Sequence, residues 1–292
     1  MPETEVWTIG RLLAWTTEYL GRHGSESPRL DAEVLLAAAK GCRRIDLYAA
    51  FEEIASDEVR AKFRSMVRER ADGTPVAYLV GRREFFSLSF QVTPAVLIPR
   101  PETEDLVVRM LDLAKEFASE SAVRVCDVGT GSGVLAVCAA KHLPQAEITA
   151  VDVSEEALRI AEENAERLGL AERIRFLQSD LLDALPPQES FHLICSNPPY
   201  VSEEEFARLP RDVREHEPYQ ALVAGPRGTE IIARLVPQAA ERLVPGGWLL
   251  IEISPMIREA VEAILAAEPR LEPGPILKDS ARRWRIAQAR RT

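Results

Sequence analysis

Residues 123–136 read VRVCDVGTGSGVLA. A short apolar run of strand length gives way to Asp127 and three alternate glycines, Gly129, Gly131 and Gly133, and then to a helix-forming run, VLAVCAAKHL. Glycines between a strand and a helix let the backbone turn tightly and let a ligand approach the main chain. The same alternation continues downstream. EITAVDV is a strand, SEEALRIAEENAERLG a helix capped by Ser154 and stopped by Gly169, and IRFLQSD and FHLICSN are strands. GTEIIARLVPQAAERLVPGG is a helix, WLLIEI a strand and MIREAVEAILAA a helix, and two weaker strands, GPILKD and RWRIAQA, close the chain. Such alternation predicts an α/β domain, a parallel sheet with helices on both faces. Ligands of such sheets bind at the carboxyl ends of the strands, where the motifs of this chain fall.

The glycine loop alone leaves two cofactor classes open. Gly131-Ser132-Gly133-Val134-Leu135-Ala136 satisfies the dinucleotide fingerprint, and Asp152 closes the next strand about 20 residues on, where a carboxylate accepts ribose hydroxyls. Two features favour S-adenosylmethionine over NAD. Asp127 precedes the first glycine, and a carboxylate there suits a cationic ligand and repels a pyrophosphate. The second feature is ICSNPPYV, residues 194–201. Asp180, at the end of the third strand, either meets an adenine amino group or caps its loop.

ICSNPPYV opens as a buried strand and ends in two prolines that no central strand absorbs. Proline holds the residue before it extended, so Asn197 and Pro198 are both fixed. Neither proline has an N–H, and what projects is a row of acceptors: the Asn197 side-chain oxygen and the Pro198 carbonyl. An –NH2 group can donate one hydrogen to each, while Tyr200 packs flat on a planar amide or base. An amide or aromatic-amine nitrogen is a poor nucleophile because its lone pair is delocalised. Two fixed acceptors hold that nitrogen and aim it at a methyl group, so positioning and preorganised electrostatics carry the rate. The motif by itself says planar –NH2 acceptor, in a protein or in a nucleic-acid base.

Upstream the pattern differs. VWTIGRLLAWTTEYLGRHG places Ile9, Leu12, Leu13, Thr16 and Leu20 on one helical face, with Gly21 and Gly24 as the stop. SPRLDAEVLLAAAKG has Ser27 as candidate cap, and SDEVRAKFRSMVRERADG has Ser56. These short amphipathic helices predict a small bundle over 1–73. Residues 74–99 are rich in β-branched and aromatic types with Gly81 as a turn, which predicts a β-hairpin linker, and 100–292 form the catalytic domain. A helix is expected over roughly 102–117.

Composition narrows the classes. The net charge of −10 disfavours a protein that lives on nucleic acid, and no apolar run approaches the ~20 residues of a membrane span. Glu3, Glu5, Arg11 and Glu18 interrupt the first twenty residues, unlike a signal peptide. Cys42, Cys126, Cys138 and Cys195 form no CxxC pair and are expected to be free thiols in a reducing compartment. The four histidines lack metal-ligand spacing, so no metal is expected.

The chain resembles the HemK family of peptide-chain-release-factor glutamine methyltransferases over nearly its whole length. The carriers are TPVAYLVGRREFFSL at 74–88, LIPRPETE at 97–104, DVGTGSG at 127–133, VDVS at 151–154, SNPPYV at 196–201 and EPYQALVAGPRGTEII at 217–232. Asn-Pro-Pro-Tyr alone is shared with adenine-amino and guanine-amino methyltransferases of nucleic acids; the first two segments are much narrower. The resemblance implies a Rossmann-like, seven-stranded class I S-adenosylmethionine-dependent methyltransferase domain behind a small helical bundle that docks the substrate. It implies methylation of the glutamine side-chain amide in the Gly-Gly-Gln loop of bacterial class I release factors.

By position, Gly129, Thr130, Gly131, Ser132, Gly133, Asp152, Asp180, Leu181 and Asn197 are expected to hold the cofactor. Asn197, Pro198 and Tyr200 are expected to act in catalysis, and these with Pro199, Arg100 and Glu102 to bind substrate. Arg100 and Glu102 read equally well as helix-capping residues. Many family members carry an aromatic where this chain has Leu181, and the ending KDSARRWRIAQA departs from the Gly-containing one expected. His216 is read as part of a charged loop, and Arg282, Arg283 and Arg285 around Trp284 as a solvated edge strand. A cytoplasmic monomer with release factors as partners, no stable nucleic acid and no membrane, completes the expectation.

Overall fold

Thr8 starts the first helix by accepting the Arg11 N–H on its hydroxyl. In the computed structural model, which describes residues 6–120 and 122–292, the chain gathers into two units. One runs through Arg82 and takes in Pro210–His216; the other comprises Arg83–Leu209 and Glu217–Thr292. Glu3 and Glu5 lie outside the described residues.

The first unit holds α1 (Ile9–Arg22), α2 (Pro28–Lys40), α3 (Asp46–Ala49), α4 (Asp57–Ala71) and α5 (Val76–Val80). Ile9, Leu12, Leu13, Thr16 and Leu20 are buried along α1, and the apolar ones among them share a core with Leu35, Leu36, Leu47, Phe63 and Val67. Gly21 lies within α1, and the helix closes at His23. Ser56 caps α4, whereas Ser27 stands at the N-cap without a side-chain capping bond and Pro28 marks the start of α2.

Residues 76–80 are helical, where the sequence predicts hairpin. Pro75 precedes the first turn, and Gly81, at φ 73°, ends the helix in the left-handed region instead of turning a hairpin. The hairpin itself is β1 (Arg82–Phe85) and β2 (Leu88–Gln91), turned by Phe86 and Ser87, both at positive φ (48° and 61°).

The second unit continues with α6 (Thr103–Ala114), β3 (Arg124–Val128), α7 (Val134–His142), β4 (Glu147–Asp152), α8 (Glu155–Arg167), β5 (Ile174–Gln178) and β6 (Phe191–Ser196). Beyond β6 come β7 (Val201–Ser202), α9 (Glu203–Phe206), α10 (Arg211–His216), which groups with the first unit, α11 (Tyr219–Leu222), β8 (Val223–Gly225) and α12 (Glu230–Arg242). The last elements are β9 (Leu243–Glu252), α13 (Arg258–Ala267), β10 (Leu271–Pro273), β11 (Leu277–Lys278) and β12 (Trp284–Arg291).

Seven strands stand in the order β10-β12-β9-β6-β3-β4-β5, with β11 paired to β12. The pairs from β9 to β5 are parallel, and β12 is antiparallel to β9, β10 and β11. Every residue of β6 is buried; Leu193 and Cys195 face the core beneath α6 and α7, while Phe191 and Ile194 face the core beneath α12 and α13. The order reverses beside β3, whose successors β4 and β5 lie on one side and β6 on the other, and this opens the crevice in which such sheets bind ligands.

The C-terminal reading needs correction. β12 lies inside the sheet, and Arg285 is buried against Asp279 (3.3 Å). Arg258 and Lys278 both lie over the Trp284 ring. Arg282 and Arg283 are exposed, as the sequence suggests, and Arg285 alone is drawn in by a buried carboxylate that the run does not announce. Cys126, Cys138 and Cys195 are buried and free, as is the half-buried Cys42.

Candidate active site

The sheet register brings the site together. Val128 of β3 pairs with Val151 of β4 and Ser196 of β6, so Gly129, Asp152 and Asn197 emerge at one edge. They line a cavity of about 330 Å³ whose walls also include Thr130, Gly131, Ser132, Asp180, Leu181, Pro198 and Pro199. Gly133, Arg100, Glu102 and Tyr200 stand outside that lining.

Gly129 and Thr130 donate their N–H groups to the Val151 carbonyl (2.8 and 3.0 Å), which folds the loop across the end of β4. Gly131 sits at φ 55°, with no atom within 4 Å of where a side chain would start, so this part of the loop is an open cradle. Gly133 is different: a β-carbon there would stand 3.0 Å from Ala161 Cβ, so its lack of one lets α8 pack against the turn. Asp152 accepts the Gly131 N–H on Oδ2 and the Ser154 N–H on Oδ1, both at 2.9 Å, which fixes the carboxylate and leaves each oxygen a second lone pair.

Asp127 is buried under the loop. Its Oδ2 accepts from the Thr130 hydroxyl (2.7 Å) and the Ala136 N–H (3.0 Å), while Oδ1 is buried with no hydrogen bond. Burial pushes its pKa up to about 7, against the pull of those two donors and with a small addition from Asp152. A cavity-lining carboxylate with one oxygen unpartnered fits a cationic ligand group, because the arriving charge restores the ionised form. Asp180 is half-exposed and ion-paired to Arg234 (2.6 Å), and Leu181 beside it stands at φ 51°.

Asn197 is held by residues the motif does not contain. Its Nδ2 donates to Thr103 Oγ1 (3.2 Å), and that hydroxyl donates to Glu252 Oε2 (2.7 Å). Tyr200 donates its phenol to Glu252 Oε1 (3.4 Å). Thr103 and Glu252 are buried, and burial raises Glu252 to about 7 despite the Thr103 bond and the Arg285 charge. Because the threonine proton is committed to the carboxylate, only a donor satisfies its oxygen, and the Asn197 amide is locked with Nδ2 towards it. What remains for the cavity is Oδ1. Sequence reading missed both partners, although Thr103 lies in the quoted LIPRPETE segment and an acid ending the apolar run WLLIE is itself a signal.

Arg100 pairs with the buried Glu217 (2.5 Å), which also accepts the Ile98 N–H (3.2 Å). Leu97 and Pro99 on one side and Pro218 and Gln220 on the other line the cavity, so this pair ties two walls together. Glu102 stands at the start of α6 and makes no capping bond. His216 ends α10 and belongs to the other unit. Among the described residues no cluster of His, Cys, Asp or Glu is arranged to hold a metal, and no helix is long and apolar enough to cross a membrane.

Solved structures share this architecture. The hMettl16 catalytic domain in complex with MAT2A 3′UTR hairpin 6 matches with a TM-score of 0.53 and 17% identity, over 78% of this chain and 81% of that one. A methyltransferase from Pyrococcus furiosus matches with a TM-score of 0.50 and 18% identity, over 78% and 96%. Residues 108–210 match the methyltransferase small domain. Fold and crevice together define a class I methyltransferase. The sequence narrows the class: residues 11–81 match the PrmC N-terminal domain. Release factor glutamine methyltransferase of Rhodopirellula baltica is 50% identical over 96% of this chain and 95% of its own length. That of Koribacter versatilis is 45% identical over 85% and 87%. The chain belongs to the HemK family of release factor glutamine methyltransferases.

Proposed function

We propose that this protein transfers a methyl group from S-adenosylmethionine to the side-chain amide nitrogen of the glutamine in the Gly-Gly-Gln loop of class I release factors. The observation that carries the reading is the locked Asn197 amide, which keeps its oxygen uncommitted on a residue that lines the cavity shared with the glycine loop.

The Asp152 carboxylate takes the ribose hydroxyls, Asp127 faces the cationic part of the cofactor, and the Asp180–Leu181 segment borders the base. When bound, the cofactor supplies a methyl group already activated on a sulfonium. Asn197 Oδ1 and the Pro198 carbonyl accept the two amide hydrogens of the glutamine. That grip would fix the nitrogen and favour the positive charge it gains as the N–C bond forms and the S–CH3 bond breaks, with S-adenosylhomocysteine as the leaving product. Pro199 and Tyr200 shape the pocket around the amide, and the Arg100–Glu217 pair holds its wall. The nitrogen would then release one hydrogen as a proton to water, which restores the neutral amide. The enzyme acts as a monomer in the cytoplasm, with release factors as partners and without stable nucleic-acid binding.

Incubation with methyl-labelled cofactor and recombinant release factor is expected to label the Gly-Gly-Gln peptide. Label in nucleic acid with none in that peptide overturns the reading.

A further inference from the structure

The β-hairpin takes no part in the chemistry above, yet its second strand ends on a buried side chain that also reaches the glycine loop. Asn164, on α8, is fully buried. Its Oδ1 accepts the Gln91 N–H (2.6 Å) and its Nδ2 donates to the Gln91 carbonyl (3.0 Å). The side-chain amide thus pairs with Gln91 much as a neighbouring strand residue does, exchanging both backbone bonds. The same Nδ2 donates to the Ser132 carbonyl (2.9 Å), inside the loop that lines the cavity. One turn earlier on α8, Ala161 meets Gly133, so two residues of one helix face set the shape of this turn.

We infer that Asn164 is a positioning residue for the cofactor, fixing the Ser132–Gly133 turn and joining it to the end of the hairpin. The inference rests on the reading of the cavity as a nucleoside-cofactor site. It follows from what each group needs. The Ser132 and Gln91 carbonyls are acceptors, and a single –NH2 serves both, so the loop and β2 cannot shift independently without stranding one of them. The hairpin begins at Arg82, the last residue of the N-terminal unit before the chain enters the methyltransferase unit. A change of state in the glycine loop therefore has a hydrogen-bonded route to the hairpin.

S-adenosylhomocysteine is the probe. Titration calorimetry compares the wild-type protein with Asn164→Ala and Asn164→Asp, and hydrogen exchange follows the wild type with and without the probe. Asn164→Ala is expected to weaken binding roughly tenfold to a hundredfold, the equivalent of one or two lost hydrogen bonds. Asn164→Asp is expected to be the weaker binder of the two, although it keeps the shape. A carboxylate still receives the Gln91 N–H but sets an oxygen against two carbonyls. A role confined to filling space predicts the opposite order. The KM for cofactor should rise with kcat at saturation within about threefold of wild type. In the wild type, the probe should slow exchange at the Gln91 amide together with the glycine loop. Wild-type affinity in both variants, or a Gln91 amide indifferent to bound probe, overturns the inference. If the variants do not fold, the wild-type exchange measurement decides alone. A wild type that fails to bind the probe overturns the cofactor assignment, and the inference with it.

Discussion

Replacing Glu252 by glutamine should raise stability and lower activity at once. The structure fixes both signs. Glu252 is buried beneath Thr103 and Tyr200, with Arg285 and Glu102 as the charged groups in reach, and its pKa stands near 7. An ordinary glutamate ionises near 4.5. An acid raised on folding stabilises the native state below its ordinary value, and that contribution is lost as pH rises through about 7. At pH 8 the folded protein therefore carries an ionisation cost of roughly 3 kcal/mol, at 1.36 kcal/mol per pH unit. Glu252→Gln removes that cost, so its melting temperature should exceed the wild type's at pH 8 and converge on it near pH 5. Catalysis should move the other way. A carboxylate only accepts, which forces the Thr103 proton towards it and the Asn197 Nδ2 towards Thr103. Glutamine can donate to Thr103 Oγ1, which frees the hydroxyl proton for Asn197 and turns the amide the wrong way round. One misdirected hydrogen bond of about 1.5–3 kcal/mol amounts to a roughly 10- to 150-fold loss. The assay is kcat at saturating cofactor against pH: wild type rises through an acid limb near 7, and Glu252→Gln lacks the limb and stays low. A Glu252→Gln enzyme within threefold of wild type at pH 8 refutes the locking argument.

Three further outcomes follow from the same geometry. Asp127→Asn should weaken S-adenosylhomocysteine binding at least tenfold; in the wild type, calorimetry in buffers of different ionisation enthalpy should detect proton release on binding near pH 6.5, because a cation lowers a pKa that starts near 7. Asn197→Ala should cut kcat at least a hundredfold and leave the dissociation constant of S-adenosylhomocysteine within a few-fold, as judged by single-turnover labelling and calorimetry. Arg100→Ala strands the buried Glu217, at about 3–5 kcal/mol in a denaturation midpoint, and Arg100→Ala with Glu217→Gln should recover much of that loss.

The glycine loop and Asn-Pro-Pro-Tyr are legible in sequence because their backbone conformations admit few residue types. Gly131 and Gly133 stand at positive φ, and proline restricts what precedes it. What stays hidden lacks such local chemistry. Glu252 meets Thr103 across 149 positions, a distance over which no periodicity speaks. The hairpin turn rests on Phe86 and Ser87, neither a usual residue for positive φ, so Gly81 draws the eye one element too early. Residues 76–80 carry strand-prone valines and a tyrosine, yet Pro75 and Gly81 bracket a short helix whose half-buried Val76, Leu79 and Val80 pack on the bundle core; tertiary packing overrides propensity there.

The two buried carboxylates answer different needs, and separating them sharpens what Glu252 does. Asp127 lies under the glycine loop and can serve a cationic ligand directly. Glu252 lies two hydrogen bonds behind the Asn197 side chain, through Thr103 and Nδ2, and its other oxygen accepts the Tyr200 phenol. It can act by orientation alone, or also by charge: the attacking nitrogen turns positive, and a carboxylate several ångströms away at an effective dielectric near 20 adds about 2 kcal/mol. Thr103→Val divides the two. It keeps the Glu252 carboxyl and the side-chain volume but frees the Asn197 amide. Losing the hydroxyl also pushes the Glu252 pKa further up, so the comparison needs a pH at which the carboxyl is still ionised. Thr103→Ser keeps the hydroxyl and should stay near wild type. If orientation is all, Thr103→Val abolishes most of the Glu252→Gln effect, and the double variant is no worse than either single one. If charge contributes as well, Glu252→Gln still lowers kcat about tenfold or more in the Thr103→Val background, measured near pH 9, where the carboxyl is ionised, with cofactor saturating. Additive losses across the whole cycle would mean that Glu252 does not work through Thr103, and the relay would have to be abandoned.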